Sequence, residues 1–388
     1  MMNLLKRRHV NKLLNTIAIV IMLVILTFCF GSGKRSTMTL IVDICIAILM
    51  ATSLNVAAGS LGEIVLGHAG FMCIGAYSTG IFLTVTGANA NLGFYIISLL
   101  IGGISAGICG LLVGIPSLRV RGDYLAIVTL GFGEIVRTIF LNLNVCGNLQ
   151  GEMIHLPDIL SPVTSGNMCI LIAATTVVLC VCIIYIFMTS RHGRAILAIR
   201  EDEIAADAVG IPVVRYKVLA FTISAIFAGI GGAMIAQTNG QITANYFNLD
   251  RSVNYLVMVV FGGLGSYTGG ILSAIFLTWL NFQLIDLNQL RMVLYAVILI
   301  LIMLFKPTGL FGIKEFSLRG TIINFRVYMK ALWQGILDFP KDCKNNFINL
   351  LNKIKGSFKE KFSKTKGVIH VEDSIKNKEL NKEVVSND

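Results

Sequence analysis

The sequence is poor in charge. Of its 388 residues only 14% are Asp, Glu, Lys or Arg, against roughly 25% in an average soluble domain. With 55% hydrophobic residues and a mean hydropathy of +0.78, that scarcity excludes a soluble enzyme, an extracellular disulfide module and a disordered chain. Metal and disulfide chemistry are missing as well. The nine cysteines form no CxxC pair and no Cys/His cluster at zinc spacing, and most sit in apolar runs as small hydrophobes. A nucleotide loop of the GxxxxGK[ST] type is absent too. GSGKRST at 31–37 imitates one, but Lys34 is followed by Arg35 and no Gly stands at the first position. Energy for active work would come from another polypeptide or from an ion gradient. No His/Asp/Cys constellation marks a membrane-embedded enzyme.

What the sequence has instead is long apolar runs, at 17–30, 40–58, 64–86, 94–115, 124–143, 169–188, 218–237, 253–282 and 292–305. At about 20 residues per crossing these read as membrane spans. The first run follows Lys6, Arg7, Arg8 and Lys12 and suits a signal peptide or a first span. The span is favoured because every later run also inserts. Short-loop Lys/Arg asymmetry sets the expected topology. The N-terminal cluster, Arg119 with Arg121, the 191–217 loop and the tail after Lys306 read as cytoplasmic, and 144–167, without Lys or Arg, as external. Lys34 and Arg35 depart from that rule.

The 253–282 run is too long for one crossing and is interrupted by Gly262-Gly263-Leu264-Gly265-Ser266. Two crossings or half-crossings hinged there keep the basic tail inside. The expected fold class is all-α: a polytopic transmembrane bundle of about ten segments, some broken or re-entrant, with both termini cytoplasmic. A second break lies between Gly59 and Gly70. Irregular backbone at membrane depth survives only against protein or a wet cavity, so both breaks point to a transport path, and their placement in opposite halves fits an internal repeat.

The net charge of +11 is concentrated in the tail: 16 of the 32 basic and 9 of the 21 acidic residues lie in 306–388. There Phe347, Leu351, Ile354, Phe358 and Phe362 recur at helical spacing among lysines, as in a basic amphipathic helix on a membrane surface, and 364–388 reads as disordered. Three parts are expected: 1–37 as a cytoplasmic segment and first span, 38–312 as the transmembrane domain, and 313–388 as a cytoplasmic tail. A nucleic-acid partner is not supported.

Between spans, RHGRAILAIREDEIAADAVGIPVVRYK (191–217) is the long polar stretch of the body. Glu201, Asp202 and Glu203 suit a helix start, Gly210 a helix end, and Pro212 forbids continuation. A solvated loop helix and a docking element for a cytoplasmic partner are both open readings. Glu134 and Arg137 share a helix face inside an apolar run, where each charge costs at least about 2.5–3.5 kcal/mol, so they read as a structural pair or a gating element. Glu63 is either a solvated acid at a span boundary or a vestibule group for ammonium substrates. His68 reads as a hydrogen-bonded packing residue or a proton carrier. Asn55 is placed to bond the broken backbone, and Asp43 to sit near the external surface. Gly103, Gly107 and Gly110 form a small-residue packing face.

GRAILAIREDEIAADAVGI (193–211) resembles the coupling loop of permease subunits of branched-chain amino acid ABC importers. SLNVAAGSLGEIVLGHAGFMCIGAY (53–77), LRVRGDYLAIVTLGFGEIVR (118–137), MVVFGGLGS (258–266) and LFKPTGLFG (304–312) resemble that family's other signatures in the same order. The family commonly carries glutamine where Glu63 stands, and usually ends near the position of Gly312. The resemblance implies a non-catalytic, multi-pass subunit in the cell membrane. Its implied partners are a second homologous permease, two cytoplasmic ATPase subunits that bind ATP and Mg, and an extracytoplasmic solute-binding protein. This chain itself would bind no cofactor and no metal. Gly193, Arg194, Arg200, Glu201, Asp202, Glu203, Ala206, Asp207 and Gly210 would form the coupling loop, with the charges at positions 200–203 meeting an ATPase groove. Asn55, Glu63, His68, Glu134, Arg137, Gly262, Gly263 and Gly265 are the path or gating candidates. The implied cargo is leucine, isoleucine or valine. The alternatives are urea, nucleosides or another amino acid within the same class, and an ion-coupled secondary transporter.

Overall fold

Apolar stretches of this length satisfy their backbone internally as helices, and those among the described residues do so. The computed structural model describes residues 35–86, 92–117, 123–143, 154–155 and 162–285, with positions 293, 294, 296, 297 and 300. The first-span expectation at 17–30, the 292–305 span and the amphipathic tail lie outside the residues described as continuous structure. The chain divides into two units, Met1–Arg319 and Gly320–Asp388, and all described residues lie in the first.

The helices are α1 (Arg35–Leu54), α2 (His68–Thr86), α3 (Leu92–Ser117), α4 (Asp123–Asn142), α5 (Pro162–Thr189), α6 (Arg191–Glu201), α7 (Glu203–Ala208), α8 (Val213–Asn239), α9 (Leu249–Gly262) and α10 (Tyr267–Gln283). A π-helical stretch, Asn55–Leu61, continues α1. Among the described residues, six spans are long and apolar enough to cross a membrane: α1 with its π-helical end, α2, α3, α4, α5 and α8. Two-residue strands β1 (Ile154–His155) and β2 (Gln241–Ile242) pair antiparallel in the connections. The architecture is an all-α bundle of membrane-spanning helices.

Residues 253–282 are not one span. α9 and α10 form an antiparallel pair, about 21 Å and 26 Å long at 1.5 Å per residue. Their turn is Gly263–Ser266, where Gly263 and Gly265 have φ of 107° and 88°. Gly262 packs on Gly269, and the Ser273 hydroxyl donates to the Met258 carbonyl. The 64–86 run differs from expectation at its start. Ile64–Leu66 are apolar, yet the helix begins at His68. Gly62, at φ 87°, ends the π-helical stretch, and Gly67 lies flush against the Thr129 carbonyl of α4.

α8 is the central helix of the bundle, and small residues set its neighbours' distance. A methyl group on Gly75 would overlap the Gly229 backbone, and one on Gly232 would overlap the Met72 carbonyl. On α3, Gly103 and Gly107 face Ile230 and Ile226, and Gly110 faces Ala225. The small-residue face of α3 thus packs on α8. Polar groups bond across these seams: Gln237 Nε2 donates to Ser98 Oγ at 2.6 Å and Thr79 Oγ1 to the Ser98 carbonyl at 3.0 Å. Gly75→Ala is expected to destabilise the chain by about 1–3 kcal/mol, because the obstructing atoms are backbone and cannot rotate away. Thermal unfolding of the detergent-solubilised protein measures this. An unchanged midpoint would mean that α2 and α8 are not in backbone contact.

Candidate functional site

The polar loop folds as two short helices at a corner. α5 ends at Thr189, and Ser190 caps α6 by accepting from Gly193 N at 3.4 Å. Gly193 is needed at the corner because a Cβ there would overlap the Met188 backbone. α6 buries Ile196 and Ile199 on one face, while Arg194 donates back to the Thr189 carbonyl at 3.0 Å. The sequence suggested a helix start at the three acids. The structure ends α6 at Glu201 and starts α7 at Glu203, because Asp202 is extended at φ −158°. Its carboxylate accepts from the Ile204 and Ala205 amides at 2.9 and 3.0 Å, an N-cap. α7 closes at Gly210, at φ 84°. Ile211 N donates to the Ala206 carbonyl and Gly210 N to that of Asp207, which is a Schellman end.

This loop is fastened to both helix breaks. Arg200 Nη1 donates to the Gly59 carbonyl at 2.6 Å. The same side chain covers the two left-handed glycines. A Cβ on Gly62 would stand 3.3 Å from Arg200 Cγ, and one on Gly265 would stand 2.6 Å from Nη1. The breaks also hold each other. Asn55 Oδ1 accepts from Gly265 N at 3.0 Å, and the Ser60 and Tyr267 hydroxyls are 2.8 Å apart. The two interruptions are therefore one cluster at the loop end of the bundle, and their pairing needs no internal repeat to explain it.

A second strut stands beside the first. Lys217, five residues past Pro212 and only 5% exposed, places its ammonium 2.8 Å from Glu63 Oε1 and 3.0 Å from Glu203 Oε2. It thus ties the first break to α7 through the start of α8. The expected roles shift accordingly. Arg200 and Glu203 bond within the chain, to Gly59 and Lys217, and Asp202 is occupied as a cap. The Glu63 carboxylate is held by Lys217 and does not stand open to a substrate ammonium. Ala206 is buried beneath α7. The outward groups include Glu201, Asp207, Ile204 and Val209, with Ile204 79% and Val209 76% exposed. Two aliphatic side chains are thus bare, Ile204 on the six-residue helix and Val209 at its C-cap.

The remaining candidates lie elsewhere. His68 Nε2 is 2.9 Å from Ser53 Oγ, and the Ser53 carbonyl accepts from Ser224 Oγ at 2.8 Å, so His68 sits in a packing network joining α1, α2 and α8. Glu134 and Arg137 pair within α4 at 2.8 Å, and Arg137 also reaches Asn245 at 3.4 Å, beyond the far end of α8. They do not join the loop cluster. A shallow cavity of about 440 Å³ lies over Glu134 and Thr138. Gly262 and Gly263 form the turn of the α9–α10 pair. Among the described residues no group of three His, Cys, Asp or Glu could hold a metal.

Sequence reasoning treated Lys217 as a topology marker and missed its role. The signal was present: a lysine in the first turns of an apolar span is expensive unless paired. Tyr267 and Ser60 carried no comparable signal.

The comparisons with known proteins agree with this architecture. A family model described as branched-chain amino acid transport system / permease component matches residues 36–304. The chain is 36% identical over 306 residues to the high-affinity branched-chain amino acid transport system permease protein LivM of Salmonella typhimurium, covering 72% of this chain and 70% of that one. It is 35% identical over 327 residues to the protein of the same name from Escherichia coli, covering 78% and 75%. A probable branched-chain amino acid transport permease protein LivM of Methanocaldococcus jannaschii is 29% identical over 259 residues, covering 60% and 73%. No solved structure matches significantly. With its helical bundle and the family match spanning well over half its length, the chain belongs to the branched-chain amino acid transport system permease family.

Proposed function

We propose that this chain is the permease subunit of an ATP-driven importer of leucine, isoleucine and valine, and that residues 190–217 carry the drive into the spans. The family supplies the cargo class and the kind of assembly. That assembly comprises a second permease, two ATPase subunits holding ATP and Mg, and an external solute-binding protein. The loop end of the bundle then faces the cytoplasm.

The observation that carries the coupling reading is the pair of struts behind α7. One surface, with Ile204 and Val209 bare, is free to be gripped. Behind it, Arg200 is fastened to Gly59 of the first break and lies against Gly265 of the second, and Lys217 joins Glu203 to Glu63. A push on α7 therefore reaches both breaks by direct contact. Packed contacts of this kind move as units, which suits rigid-body rocking of the spans.

Ile204→Glu combined with Val209→Glu is expected to weaken ATPase retention about tenfold, the scale of losing one well-buried aliphatic contact. Thermal unfolding of the permease itself should not change, since both side chains are exposed. Co-purification and unfolding measure the two halves, and intact ATPase retention refutes the docking face. Uptake in proteoliposomes decides the energy source. Uptake that follows a proton or sodium gradient without ATP overturns the importer reading in favour of ion coupling.

A further inference from the structure

We propose that a cavity between α1, α9 and α10 binds the zwitterionic head group of an α-amino acid. The cavity holds about 600 Å³, within the roughly 300–1,000 Å³ usual for small-molecule sites. It lies away from the loop cluster, since Asp43 is two turns into α1 and Arg251 is in the first turn of α9. The substrate class rests on the transport reading, while the site rests on its own geometry.

Three observations select a zwitterion. First, the walls carry opposite charges that feel each other without forming a direct ion pair among the described residues. Asp43 lies in an apolar span yet is open to the cavity, and among the described residues it forms no ion pair. The cation whose charge reaches it is Arg251. Second, Arg251 is fixed rather than floppy. Its guanidinium carbon stands 3.8 Å from the centroid of the Tyr246 ring, with Tyr255 as its other aromatic neighbour. A guanidinium presented in that way suits a carboxylate. Third, the Thr278 hydroxyl on the wall is buried without a hydrogen-bond partner among the described groups. Asp250 also lines the cavity, at the start of α9, where Asn248 Nδ2 donates to it at 3.2 Å. Ile46, Met258 and Phe282 complete an apolar side where a branched aliphatic chain fits. Asp43 would take the ammonium, Arg251 the carboxylate, and Thr278 would add one hydrogen bond.

The test uses the purified full-length chain in lipid nanodiscs, titrated with L-leucine, 3-methylbutan-1-amine and 4-methylpentanoate. Leucine is expected to bind at least about tenfold tighter than either analogue, since each lacks one charged contact. Asp43→Asn should erase the advantage over 4-methylpentanoate, and Arg251→Gln the advantage over the amine. No leucine binding by the folded wild-type chain overturns the site. So does an Asp43→Asn protein that binds leucine as before, or an amine that binds as tightly as leucine. Uptake by the assembled complex separates the two readings. Wild-type uptake of leucine with unchanged KM in Asp43→Asn sinks this site and leaves the transport reading standing. A wild-type complex that does not carry leucine sinks the transport reading, and the titration then judges the site by itself.

Discussion

Lys217→Met is expected to cut ATP-driven uptake at least about a hundredfold and to lower the stability of the chain by about 3 kcal/mol. The lysine is 5% exposed and bonds two carboxylates, Glu63 at 2.8 Å and Glu203 at 3.0 Å. Methionine keeps the stem and removes the charge. Glu63 and Glu203 are then left facing each other within about 6 Å, and one of them is largely shielded from water. Removing one member of a buried ion pair costs roughly 3–5 kcal/mol, mostly through the partner left uncompensated. The lower end applies here because Glu203 is 37% exposed and water screens it. Uptake suffers more than stability because the same lysine is a strut between α7 and the first break. Glu63→Gln placed on top of Lys217→Met should restore part of the stability, since glutamine at that position needs no counter-charge. It should not restore uptake, because the tie to Glu203 is still missing. Thermal unfolding and proteoliposome uptake of the two variants form the check. A single variant with wild-type uptake removes Lys217 from the coupling route.

Much of the bundle is legible in the sequence because its signals are long. Runs of about twenty apolar residues cannot fold in lipid as anything but helices. The GGLGS interruption is legible for a related reason, since a 30-residue run with three of its five glycines clustered at 262–265 does not make one straight crossing. Shorter features depend on neighbours far away in the chain. Ile64–Leu66 read as the start of a span, but Gly67 must lie against Thr129, and this holds the segment out of the helix. The acids at 201–203 are visible as charges, yet a charge has no direction until the fold gives it one. Asp202 turns back onto its own helix and Glu203 turns in to Lys217, leaving Glu201 outward. The Arg200–Gly59 bond spans 141 residues and ends on a backbone carbonyl, which no side-chain pattern reveals.

Arg200→Ala separates the two roles that a charged residue in this loop could hold. A residue that meets an ATPase groove is lost together with ATPase binding. A residue that transmits force is lost with ATPase binding intact. The proposed coupling route gives Arg200 the second role, since its guanidinium bonds the Gly59 carbonyl and its stem lies against Gly62. Alanine leaves that carbonyl without its charged donor, a loss of about 1.5–3 kcal/mol in the fastened state. It also opens a gap over Gly265, so the two breaks lose their common clasp while Asn55 still joins them. Uptake is expected to fall about ten- to a hundredfold, the range which that energy sets. ATPase co-purification should stay near wild type, because Ile204 and Val209 are untouched. ATP hydrolysis by the assembled complex should continue without matching transport. Lysine at 200 should not rescue uptake, since a single ammonium cannot both donate to Gly59 and spread over the two glycines as a planar guanidinium does. The measurement is the ratio of solute carried to ATP hydrolysed. A ratio that holds steady while both rates fall together would put Arg200 at the ATPase surface instead, and the break cluster would then be a structural knot rather than a joint.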